Sequence, residues 1–95
     1  MKVLFIYRTD NFVEVRKEGK LPQGLSPHSG LTVWVTDNIH LVVQKVGVRV
    51  VAPSPRFPQA VLYLQSCDKI RCKFRHNETL ILKTLRSEGW KPPEA

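Results

Sequence analysis

Lys69-Ile70-Arg71-Cys72-Lys73-Phe74-Arg75 alternates cation and apolar side chain without a break. Extended as a strand, it puts Lys69, Arg71, Lys73 and Arg75 on one face and Ile70, Cys72 and Phe74 on the other. At about 3.3 Å per residue the four charges form a row roughly 20 Å long, a spacing that suits a run of phosphates. The same pattern also suits a half-buried strand with a solvated outer face, or an edge strand whose lysines oppose pairing with another chain.

Other residue groups point to other chemistry, less strongly. Asp10 and Asp37 each follow a β-rich run, and two carboxylates at adjacent strand ends could hold Mg²⁺ for phosphodiester chemistry. No third carboxylate or lysine signature accompanies them. Cys67, Cys72 and His76 are three candidate zinc ligands, with His28 or His40 as a fourth, but their spacing is not that of a structural zinc site. Buried cysteine as a small hydrophobe fits better. The chain has no nucleophile elbow and no Walker loop, so serine-hydrolase and nucleotide-dependent chemistry have no motif to rest on. No cofactor is implied.

Charge gives the broader frame. Fifteen Lys and Arg oppose eight Asp and Glu, for a net +7. Residues 1–47 carry six basic and four acidic side chains, and residues 48–95 carry nine and four, so the excess is C-terminal. Such an excess favours a polyanionic partner, either nucleic acid or a ribonucleoprotein, or an acidic protein surface. The opening apolar run, Val3 to Tyr7, is too short for a signal peptide, and no stretch has the length of a membrane span. The expectation is a cytoplasmic protein that contacts no membrane and keeps its two cysteines reduced.

The elements that would position these residues read as strand, cap and helix in alternation. Val3–Arg8 is apolar on both faces, as in a central strand. Thr9-Asp10-Asn11 then resembles a helix cap, and Phe12, Val15 and Arg16 fall at helical spacing before Gly19, giving a helix over 10–18. Leu31–Val35 is a second strand, followed by a second Thr-Asp-Asn and by Ile39, Val42, Val43 and Val46 at i, i+3, i+4, i+7. That spacing predicts a helix over 37–46, although the valines also suit one long strand or hairpin from His40 to Val51. Gln59–Gln65 reads as a short helix with Pro58 near its start, and Glu78–Glu88 as a helix stopped by Gly89. Trp34 is assigned to the core, and Trp90 packs the last helix onto the body.

These elements predict one α/β domain over 1–95, with a flexible tail at 91–95. A mostly parallel four-stranded sheet carries three or four short helices. In such a fold the functional crevice lies beyond the carboxyl ends of the strands, where Thr9, Asp10, Asn11, Thr36, Asp37, Asn38, Ser54, His76 and Asn77 collect. Capping alone accounts for those residue types. The loop 20–30 is long for so small a domain, which favours a contact role.

The functional expectation is therefore a small basic binding protein without catalysis. It contacts nucleic acid or a ribonucleoprotein through Lys69, Arg71, Lys73 and Arg75, extended by Arg49, Arg56 and Lys83. The alternatives are an inhibitor or interaction protein docking on an acidic protein, and a metal-dependent phosphodiesterase using Asp10 and Asp37. A homodimer paired along an edge strand would leave the charges of the row accessible. Four phosphate contacts on a single strand predict a log–log salt slope of about −2.8. In titrations of labelled oligonucleotide, Arg71→Glu combined with Lys73→Glu is expected to abolish that binding without changing the circular dichroism spectrum.

Overall fold

The structure, a computed structural model, describes residues 2–9, 11–36, 39–48, 58–66 and 78–93. Five strands and one helix are formed by these residues: β1 (Lys2–Arg8), β2 (Glu14–Lys20), β3 (Thr32–Thr36), β4 (Ile39–Val48), β5 (Ala60–Ser66) and α1 (Glu78–Ser87). The strands make one sheet in the order β2-β1-β5-β4-β3, antiparallel except for the β1–β5 pair. The sheet curls, so that its two edge strands line a common cleft of ≈ 230 Å³ with Phe5 and Trp90.

This overturns the mostly parallel four-stranded α/β arrangement with three or four helices. In the segments expected as helices over 10–18, 37–46 and 59–65, the described residues form instead the turn and strand of β2, then β4 and β5. In β4 the helical spacing has a specific origin. Val43 pairs with Leu64 and Lys45 with Tyr63, leaving Gln44 as the extra residue of a bulge. Ile39, Leu41 and Val43 face inward before the bulge, and Val46 faces inward after it. The skipped residue changes the strand's period of two into an i, i+4, i+7 pattern over 39, 43 and 46.

The threonines that open the two Thr-Asp-Asn triplets serve hairpin turns rather than helix caps. Thr9 is buried, and its Oγ1 accepts the Val13 N–H at 3.2 Å, while its own N–H donates to the Val13 carbonyl at 2.9 Å. Thr36 Oγ1 accepts the Ile39 N–H at 3.2 Å. Each threonine replaces a main-chain bond where the chain leaves its strand and turns back.

The inner face of the sheet is the core. Val3, Tyr7, Leu41, Val43, Leu62 and Leu64 pack there against Ile81 and Leu85 of α1. Each large aliphatic side chain so covered contributes about 1.5–3 kcal/mol relative to exposure. α1 ends as its sequence predicts: Gly89 takes φ 94°, its N–H donates to Arg86, and Trp90 N–H reaches back to the Leu85 carbonyl. Trp90 is thereby turned into the core, 6.1 Å from the Phe5 ring between centroids. The chain then bridges to the outer edge of β2 through paired main-chain bonds between Lys91 and Arg16 at 2.7 and 2.9 Å. Lys17 Nζ also donates to the Glu88 carbonyl at 2.7 Å, so the helix C-terminus is tied to β2 twice.

Gly19, expected to end a helix, lies instead in β2 directly opposite Val3. A Cβ there would come within 2.8 Å of the Phe5 ring, which also packs beside Trp90. Gly19→Ala is therefore expected to lower unfolding free energy in urea by about 1–3 kcal/mol, the range for overpacking. Phe5→Leu, which removes the blocking ring, should relieve most of that loss in the double variant.

Candidate nucleic-acid interface

Strand register places a mixed row of cations and aromatics on the outer face. Ile6 lies opposite Arg16 on β2 and beside Tyr63 on β5, and Tyr63 lies opposite Lys45 on β4. Arg16, Ile6, Tyr63 and Lys45 thus form one row across four strands, about 4.8 Å apart from strand to strand. Arg8 and Glu14 are opposite each other in the next row. The β4 bulge is what turns Lys45 outward, and its Nζ stands 5.7 Å from the centre of the Tyr63 ring. A cleft of ≈ 260 Å³ over this region is lined by Ile6, Arg8, Tyr63 and Gln65, among others.

Glu14 organises the cationic end of the face. Its Oε1 accepts Arg8 Nη2 at 2.7 Å, and its Oε2 accepts Arg16 Nε and Nη2, both at 2.7 Å. The carboxylate side chain is only 9% exposed, while those of Arg8 and Arg16 are 55% and 41% exposed. Desolvation pushes the Glu14 carboxyl up, but hydrogen bonds and charge from Arg8 and Arg16 outweigh it and hold the pKa below the ordinary value. One anion thus orients two guanidinium groups and leaves a net charge of +1 with N–H donors still open to solvent. Glu18, the other acid on this face of β2, is paired with Lys2 at 3.2 Å.

Trp34 corrects its sequence assignment. It is 64% exposed on the outer face of β3, whereas Val33 and Val35 pack against the core. Its ring lies 3.9 Å from that of His40, its cross-strand neighbour, at an interplanar angle of 32°. The alternation had separated Trp34 from three aliphatic residues, and those three were the stronger core signal. Phe12, at the tip of the first hairpin, is 82% exposed with φ 63°.

The residues singled out from sequence fall in different places. Lys69, Arg71, Lys73, Arg75, Arg49 and Arg56 lie outside the described residues, as do Asp10, Asp37, Cys67, Cys72 and His76. Lys83 is exposed on α1, on the helix side of the sheet, and does not join the outer row. With one helix among the described residues, the expected set of helix N-termini along a strand-end crevice does not form. No three His, Cys, Asp or Glu among the described residues come together as a metal site. His28 is exposed in the 20–30 loop, its Nδ1 2.9 Å from the Ser29 carbonyl. Arg8, Arg16, Lys45 and Tyr63 were missed because each comes from a different strand, with no local motif.

No family model matches the chain, and neither a curated protein nor a solved structure does. No helix among the described residues is long and apolar enough to cross a membrane.

The Glu14 site makes a signed prediction about acid. Because its folded pKa is depressed, its stabilisation is present above the unfolded value of about 4.3 and is lost as pH falls through the folded pKa. Thermal melts from pH 7 to pH 3 should therefore fall less steeply for Glu14→Gln than for the parent, with the parent more stable at neutral pH.

Proposed function

We propose that this chain is a small, non-enzymatic, cytoplasmic nucleic-acid-binding domain that uses the outer face of its sheet. The observation that carries the reading is the cross-strand row Arg16–Ile6–Tyr63–Lys45 with Arg8 beside it, which interleaves cations and an aromatic ring on a solvent-facing sheet. Phosphates supply the affinity in such a surface, and rings and the groove between strands receive bases. Among the described residues the two acids of the outer face, Glu14 and Glu18, are both engaged in ion pairs, so they offer little repulsion to an approaching polyanion. The alternating run 69–75, directly after β5, supplies four more cations in sequence.

The test is salt-dependent binding of fluorescein-labelled RNA and DNA, read by anisotropy. Each phosphate contact on a single strand contributes about 0.7 to the log–log slope. Arg8→Gln with Lys45→Gln should therefore reduce the slope by about 1.4 and weaken binding of all sequences alike. Absence of binding at low salt, or an unchanged slope in that variant, would remove the outer face from the reading. Capture of an acidic protein, with nucleic acid ignored, would instead support the docking alternative.

A further inference from the structure

Resting on the nucleic-acid reading, we infer that Trp34, braced by His40, is a base-stacking step, and that the outer face takes a single strand rather than a duplex. Among the described residues Trp34 carries the largest ring on this side of the sheet, beside His40 and Tyr63, and it keeps more than half its surface open. The core does not need it, since Val33 and Val35 serve the inner side of β3. Contact with His40 at 3.9 Å restricts the indole before any ligand arrives, so less rotamer freedom is lost on binding. An indole open on one side and supported on the other is what an unstacked base requires.

Placement relative to the cations agrees with a strand crossing the face. Trp34 and His40 lie at the ends of β3 and β4 that adjoin Ser66, the C-terminal end of β5, and Arg8 lies at the corresponding end of β1. Three strand spacings and one pair along the strand separate Trp34 from Arg8 by roughly 16 Å. A segment of ~4 nucleotides, the short end of site sizes on small β-domains, covers that span. A duplex hides the faces of its bases within the stack, so it could use only the cations.

Charge selects this occupant over a protein surface or a second copy of the chain. Among the described residues the outer face presents Arg8, Arg16 and Lys45 near the aromatic residues, with Glu14 already engaged by both arginines. Two copies meeting through this face would oppose like charges, whereas a polyanion with unstacked bases satisfies the cations and the rings together.

The experiment combines anisotropy with tryptophan emission on the full chain. The probes are an 8-nucleotide poly-uridine strand, a duplex of equal length, an abasic strand and heparin. Trp90 is buried beside Phe5, so the emission lost on stacking reports Trp34. The poly-uridine strand is expected to quench roughly half of the emission at saturation, as one of two tryptophans, and the abasic strand and heparin to bind without that quenching. Trp34→Ala should weaken the uridine strand about tenfold, within the range measured for lost stacking, and leave its salt slope and the melting temperature unchanged. Trp34→Phe should retain most of the affinity. Binding without quenching, equal affinity for duplex and single strand, or unaltered affinity in Trp34→Ala would overturn the stacking inference while the polyanion reading stands. Failure of every nucleic acid to bind at low salt would overturn both.

Discussion

One extra residue in β4 sets both sides of this sheet. At Gln44 the strand bulges, and the parity of every side chain after it changes. Without the bulge, a β4 that buried Ile39, Leu41 and Val43 would place Lys45 inward and Val46 in solvent. With it, Val46 packs against the core and Lys45 stands over Tyr63. The bulge is held from outside as well, since Ser29 Oγ donates to the Gln44 carbonyl at 3.2 Å and Gly30 N–H to the Val43 carbonyl at 2.8 Å. The 20–30 loop thus has a structural role where it meets β4. Bulges also increase local twist, in keeping with a sheet curled far enough for β2 and β3 to line one cleft.

That curl divides the molecule into two surfaces of different character. The concave side receives α1 and Trp90, and the ties from Lys17 and Lys91 hold the helix end and following chain against β2. The Lys91 bridge also occupies part of the β2 edge that would otherwise be open to pairing with another chain. The convex side keeps only a modest apolar floor, including Ile6, beneath charged and aromatic side chains. Arg8 and Arg16 can sit close together there because Glu14 lies between them and accepts from both. Removing that carboxylate's charge would leave two guanidinium groups facing each other with only water to separate them.

What the sequence revealed depended on how local the determining interaction was. α1 was legible because its stripe and its stop, Gly89, both lie within a dozen residues and act on each other through the Leu85–Trp90 bond. β1 and β3 were legible from composition alone. β2 was not: only Val15 marks its inner face in a run of charges whose partners lie on β1, within β2 itself and at Glu88, and Phe12 points into solvent at the turn. β4 and β5 were misread because a bulge and a preceding proline imitate helical signals. The Thr-Asp-Asn triplets carry the same ambiguity in smaller form, since a hydroxyl that caps a helix also closes a hairpin turn. The outer-face site had no local signature because its members are neighbours only after the strands pair.

The position of β5 links the local charge pattern to the assembled one. β5 is the central strand, parallel to β1 on one side and antiparallel to β4 on the other, and its last residue, Ser66, lies opposite Leu41. Arg8 ends β1 at that same end of the sheet, and the Trp34–His40 pair lies next to Leu41. The seven-residue alternating run begins three residues after Ser66. β5 therefore ends between the guanidinium pair and the exposed indole, on the side of the sheet where both collect, and the most basic local stretch follows it in sequence. Two sources of positive charge, one assembled by strand pairing and one written into consecutive residues, share an origin at β5.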